Sequence, residues 1–314
     1  MNFTHDGALI EKTAKCFRFV YQTPGRYIND HCFAFDGTQW HCFYIDGEVG
    51  KGCYDLDNEQ IIGHAVSKDL RSWRHVGNAL ESDGTLPHEE RGIYAPYVIQ
   101  HQGQWHMFYA SHNMAGAQFM CHAVSKDLEH WTRDREPLFY PNFDRCYWKA
   151  DVPCSCRDAH VIYNSTDGLF YMYWVADLKT PKDASCIALS TSENLKEWNH
   201  LGPVLSRKYS FYEALVMKTE SPCLIKKNGL FYLFYRHGDG TYYCISDTLT
   251  DFSLSSAFYL GPCHASEIFN ANDRWVISSC SRPPEDIEHK FDRTDGLWLA
   301  GLEWSDVHPR IIAL

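Results

Sequence analysis

One strand–turn–strand unit returns along this chain, and it limits the fold more than any other feature. It occupies Asp30–Asp46, Ala95–Ser111, Asp158–Val175 and Glu220–Arg236, and His264–Cys280 follows the same form. Asp36-Gly37, Gln102-Gly103, Asp167-Gly168 and Asn228-Gly229 mark the hairpin tips, where Gly, Asp and Asn accept the positive φ of tight turns. A further strand and its exit loop repeat too: Ser67-Lys68-Asp69-Leu70 with Trp73 returns as Ser125-Lys126-Asp127-Leu128 with Trp131. Weaker copies start at Ser192 and Ser246, and each is followed by a short run fit for a fourth strand. Units of this kind predict an all-β chain, a five-bladed β-propeller of four-stranded antiparallel blades around an axial channel. The stretch Cys16 to Tyr21, aromatic and β-branched, is left over and suits closure of the ring against the last blade. A β-sandwich would leave the returning Ser-Lys-Asp-Leu turn unexplained. Residues 1–314 read as one propeller domain.

Composition narrows the partners. Aromatic residues reach 15%, enough for aromatic second strands, and the formal charge of −11 excludes a nucleic-acid or anionic-membrane surface. No apolar run approaches membrane-spanning length. The first residues lack the basic and apolar regions of a signal peptide. Thirteen cysteines lie singly along the strands, the pattern of reduced, buried thiols in a cytoplasmic protein. Cys154-Ser155-Cys156 is the one close pair and lacks zinc-site spacing, so no metal site is expected.

The chemistry comes from the acids. Asp30, Asp158 and Glu220 each stand just ahead of an apolar strand core, at places that read as equivalent in repeats one, three and four. An innermost propeller strand begins near the channel mouth, so the three would converge there. Breaking an acetal requires one carboxyl to protonate the leaving oxygen and another on the opposite face. Burial and mutual repulsion keep one protonated while its neighbour is ionised. Each acid also has a plainer reading, as a turn cap for Asp30 or an ion pair with Arg157 for Asp158. Glu213 is the rival of Glu220. Tyr94, His160 and Arg236 lie nearest the expected mouth and are candidate substrate contacts, and Trp148, in the loop from Asp144 to Pro153, is a candidate pocket wall. Trp40, Trp105, Tyr171 and Tyr232 are expected between blades instead.

Asn29-Asp30, the run Gly63–Leu70 with Trp73, and Arg157-Asp158 resemble the invertase and levanase group, glycoside hydrolase family 32. Tyr94-Ala95-Pro96 and Glu220-Ser221-Pro222 resemble the arabinanase and xylosidase group, family 43. His31 and Cys32 stand where the family-32 pattern has Pro and Asn. The resemblance implies a five-bladed propeller with Asp30 as base or nucleophile, Glu220 as general acid and Asp158 as the acid that orients substrate and tunes Glu220. It implies that Arg157 pairs with a neighbouring carboxylate, and that His264 is the channel histidine beside a bound cation or water cluster. No cofactor is required otherwise. The expectation is a glycoside hydrolase acting on a small oligosaccharide, with a furanoside leading and inversion favoured. Two alternatives stay open: a propeller phosphorylase, which would need a basic cluster for phosphate, and a non-catalytic sugar-binding propeller.

Overall fold

Two-residue tips at Gln102-Gly103 and Asn228-Gly229 have both φ angles positive (50° and 76°, 51° and 81°), the turn whose twist matches paired strands. Asn272-Asp273 makes a third such tip, in the fifth repeat, with φ of 51° and 63°. Asp36-Gly37 and Asp167-Gly168 sit in longer connections, the first organised by Asp36 Oδ1, which accepts from the Thr38 and Gln39 amides. The returning Ser-x-Asp/Asn-Leu turns repeat in geometry as well as sequence. Asp69, Asp127 and Asn194 each accept two amides just downstream, and Leu70, Leu128 and Leu195 take positive φ.

The computed structural model describes residues 7–53, 55–141, 143, 145–180, 184–206, 219–253, 256–283 and 295–314. A short helix, α1 (Gly7–Ala14), precedes β1 (Arg18–Tyr21). Blade one is β2 (Arg26–Phe35), β3 (Trp40–Glu48), β4 (Ile61–Ser67) and β5 (Arg74–Glu81). Blade two is β6 (Gly92–His101), β7 (Gln104–His112), β8 (Gln118–Ser125) and β9 (Trp131–Arg133). After β10 (Cys146–Tyr147), blade three is β11 (Cys156–Asn164), β12 (Leu169–Leu178), β13 (Ser185–Ser192) and β14 (Asn199–Ser206). Blade four is β15 (Glu220–Lys227), β16 (Leu230–His237), β17 (Gly240–Ser246) and β18 (Phe258–Gly261). Blade five is β19 (Ile268–Ala271), β20 (Arg274–Ser279) and β21 (Leu297–Ser305), with β22 (His308–Ile312) and β1 both on the outer edge of β21.

The ring closes as the leftover N-terminal stretch predicts. β1 pairs antiparallel with the start of β21 (Arg18 opposite Leu299), and β22 pairs with its later half (Gly301 opposite Ile312). The last blade therefore holds strands from both ends of the chain.

The core is divided among the blade interfaces. Phe43 and Ile62 of blade one pack with Met107 and Tyr109 of blade two, and Phe108 and Met120 with Trp174 of blade three. Tyr173 and Leu189 meet Leu233 and Tyr235, Phe234 meets Ile277, and Val276 and Leu299 return to Tyr44. Second strands are buried on both faces because a blade lies against each, which is why they are aromatic throughout. Each such side chain contributes about 1.5–3 kcal/mol. Trp105, Tyr171 and Tyr232 are buried in these interfaces, and Trp40 packs at the edge of one, as their sequence positions suggest. Tyr97 does the same at the channel, its ring 4.6 Å from that of His160.

Candidate functional site

The innermost strands carry the site, and each is interrupted at the same place. In blades one to four the ladder skips two residues: Asn29-Asp30, Ala95-Pro96, Asp158-Ala159 and Ser221-Pro222. A bulge of this kind breaks the strict alternation of side chains and re-aims them. Ala95, Asp158 and Ser221 take φ of 46°, 57° and 51°, as does Ala265 (48°) in blade five.

This corrects the reading that the three acids are equivalent and stand ahead of their strands. Glu220 precedes its bulge, Asp158 is the first bulged residue and Asp30 the second. Strict repetition would have put the carboxylates on one level around the axis. The stagger instead distributes them along the channel wall.

Their bonds show the convergence. Asp158 Oδ2 accepts the Ser221 amide at 2.9 Å, tying blade three to blade four. Arg157 reaches both acids, with Nε 3.5 Å from Asp158 Oδ1 and a terminal nitrogen 3.2 Å from Glu220 Oε2. Arg236, opposite Glu220 in the β15–β16 ladder, donates to Oε1 at 2.6 Å, and His264 Nε2 lies 3.9 Å from the same oxygen. Asp30, Asp158, Ser221 and Glu267 line one central cavity of about 20 Å³, close to the volume a single water needs.

The electrostatics follow from crowding. Burial raises the pKa of Asp30 well above the usual carboxylate range, and the charges of Asp158, Glu220 and Glu59 push it further, with Arg157 opposing. Asp158 is pushed up to about 6 by burial, held back by Arg157 and by the Ser221 amide. Glu220 is different in kind, because two guanidinium groups favour its ionised form.

The other sequence candidates divide. Arg157 pairs with carboxylates, as the resemblance implies, and Arg236 spends its guanidinium on Glu220. Tyr94 stands in register with Arg157 and Glu220, just before the blade-two bulge, buried with its ring 4.2 Å from that of His112. Trp148 stacks on Tyr140 at 4.3 Å and donates to the Gln118 carbonyl, while the Gln118 side chain reaches Arg157. His160 is not at the mouth: it lies past its bulge, buried, with Nε2 3.2 Å from the Leu224 carbonyl. Glu213 and Asp144 lie outside the described residues.

Sequence reasoning missed two acids, Glu59, which is buried, and Glu267, which is half-buried. Glu59 accepts from Tyr27 (2.8 Å) and from Asn29 (3.2 Å), the residue beside Asp30. It sits in a turn-rich stretch that gives no sign of a channel residue. Glu267 had a signal, an acid immediately before the apolar Ile268 in the fifth repeat. Burial raises its pKa well above the usual range, and the charges of Asp30 and Asp158 add to this. The fold also gathers Arg157, Arg236 and His264 around Glu220.

With this geometry in view, residues 21–228 match the glycosyl hydrolases family 32 N-terminal domain. An extracellular sucrase of Zymomonas mobilis subsp. mobilis is 28% identical over 264 residues, covering 70% of this chain and 61% of the sucrase. The chain thus spans under two thirds of the sucrase's length. A 1,2-beta-oligomannan phosphorylase of Thermoanaerobacter sp. (strain X514) is 23% identical over 222 residues, covering 69% of this chain and 67% of the relative. Among solved structures, sucrose-6-phosphate hydrolase from Lactobacillus gasseri superposes with a TM-score of 0.74 at 16% identity, covering all of this chain and 68% of that one. A thermostable family-43 glycoside hydrolase superposes at 0.67 and 18% identity, over 94% and 96% of the two chains. The fold expected from the repeats is the fold these share.

Proposed function

We propose, on the premise that this chain belongs to the glycosyl hydrolases family 32 N-terminal domain family, that it hydrolyses the glycosidic bond of a small oligosaccharide, with a furanoside as the reacting sugar. One observation carries the reading: three blades deliver Asp30, Asp158 and Glu220 to one place, where Arg157 and the Ser221 amide bind two of them together. Glu220 protonates the leaving oxygen, Asp30 acts from the opposite face, and Asp158 positions both the sugar and Glu220. Arg157 and Arg236 favour ionised Glu220 in the free site, so the sugar must draw at least one guanidinium away before Glu220 carries a proton. Asp30 works as a base on water, and the product is inverted. Proton NMR of the first-formed sugar tests that last step, because a retained anomer makes Asp30 a nucleophile.

Glu220→Gln tests the acid. Cleavage of unactivated substrates falls by about 10²–10⁴-fold, the usual worth of general acid catalysis. Nitrophenyl glycosides, whose leaving groups need little protonation, lose far less. Equal losses on both classes would remove Glu220 from the role. A second reading, phosphorolysis, has one observation in its favour: Arg157, Arg236 and His264 meet in one place. Both arginines are committed to Glu220, which favours water over phosphate as the acceptor. Running the glycoside panel with and without inorganic phosphate separates the two. The compartment we propose is the cytoplasm, supported by thirteen free cysteines. Among the described residues no helix is long and apolar enough to cross a membrane.

A further inference from the structure

Beneath the acids the innermost strands form a second layer. The residue following each bulge is His31, Tyr97, His160 and Cys223 in blades one to four, and Glu267 takes the corresponding place before Ile268 in blade five. Three neighbouring members of this layer, His160, Cys223 and Glu267, bring a nitrogen, a sulfur and a carboxylate oxygen within 4.8 Å of one another. We infer that these three side chains bind a divalent cation of the zinc class, as a site in the channel floor separate from any cation beside His264.

The tautomer of His160 is the first argument. Its Nε2 faces the Leu224 carbonyl at 3.2 Å and must carry the proton to bond there. The lone pair is then on Nδ1, which is buried and has no hydrogen-bond partner. It faces Glu267 Oε2 at 3.8 Å, too far for a hydrogen bond whichever of the two holds a proton. A metal-bound histidine is held in the same way, its other ring nitrogen donating to a carbonyl.

The second argument is the sulfur. Cys223 is fully buried, its Sγ accepting from the Ile268 amide at 3.4 Å and facing the Ile268 carbonyl at 3.9 Å, and burial keeps it a thiol until a cation displaces the proton. The third is charge. Asp30, Asp158 and Glu267 line one cavity in the channel, and Arg157 opposes the first two. Buried charge of one sign is tolerated when it is paired or coordinates a metal.

The donor set selects the ion. Zinc accepts Cys, His and carboxylate together at about 2.0–2.3 Å, whereas calcium and magnesium take oxygen donors. Ligand atoms around tetrahedral zinc stand about 3.3–3.8 Å apart, so the trio needs only a small contraction. Glu267 also lines the central cavity, which leaves room there for a water as fourth ligand. Binding displaces the Cys223 thiol proton to solvent and leaves Glu267 ionised.

The test uses the full chain, stripped with a chelator and titrated with cobalt(II). Wild type should take up about one ion per chain with a near-ultraviolet thiolate-to-cobalt band, and zinc should displace it and raise Tm. Cys223→Ser should abolish the band while keeping a cooperative melt, and His160→Gln should weaken uptake with the band changed in position. Wild type that binds neither metal stoichiometrically overturns the inference, whatever the variants do. So does a thiolate band that survives Cys223→Ser. If the serine variant does not fold, loss of the band in Glu267→Gln serves the same purpose, and an unchanged band there is fatal.

Discussion

Arg157→Gln would remove the cation that joins Asp158 to Glu220. The guanidinium stands 3.5 Å from one acid and 3.2 Å from the other, with its side chain 15% exposed and that of Asp158 5% exposed, so water screens the pair weakly. An opposite charge this close lowers a carboxyl pKa by about 1–3 units, and each unit is worth about 1.4 kcal/mol. Losing one partner of a buried pair costs about 3–5 kcal/mol, which overlaps the upper part of that range. The sign follows from protonation. Asp158 is already pushed up to about 6 from its usual 3.8, so the native state binds its proton more tightly than the unfolded chain does. Stability from this group is complete below the unfolded value and is lost as pH rises through about 4 to 6. Without Arg157 the native value climbs further, and the loss continues to higher pH. The deficit of the variant should therefore be larger at about pH 8 than at about pH 4, by about 1.5–4 kcal/mol. Urea unfolding at the two pH values measures this. An equal deficit at both would mean that Arg157 acts by packing and its bonds to Ser155 and Gln118, and the charge argument would fail.

Asp30→Asn should abolish turnover yet raise Tm at neutral pH, because burial and three neighbouring acids disfavour the native charge; the gain should vanish at low pH, and a variant less stable at pH 7 would contradict it. Tyr27→Phe removes a buried hydroxyl that donates to Glu59 at 2.8 Å and should cost about 1.5–3 kcal/mol in denaturant melts, since hydrogen bonds to charged groups are worth that much. Gly47→Ala would put a methyl 2.0 Å from Tyr27 Cζ, so the ring must move. Its expected cost is about 1–3 kcal/mol, with a fall in kcat transmitted through Glu59 and Asn29 to Asp30. Unchanged kcat would show that this chain of bonds does not position the acid.

Much of the architecture was legible because it is local. Hairpin tips, Ser-x-Asp-Leu turns and aromatic second strands depend on residues a few positions apart, and the same local bonds recur wherever the pattern does. Ring closure by the N-terminal stretch was legible by elimination, since one strand was left over. Asp30, Asp158 and Glu220 stood out as well, by their place before apolar strand cores. Their arrangement did not. The bulge common to the innermost strands supplies the reference, and against it acids that look equivalent in sequence sit at three successive positions. The partners of those acids were equally hidden. Arg236 is 16 residues from Glu220, Arg157 is 63, and Glu59 is 32 from Tyr27, and no short-range rule joins any of them. His160 read as a substrate contact because its distance from the mouth depends on the bulge before it. Sequence determined the strands and singled out three of the acids, because backbone turns and side-chain alternation act over a few residues. Which groups share a charge, and at what depth in the channel, only the closed ring decided, because that depends on five strands meeting at one axis.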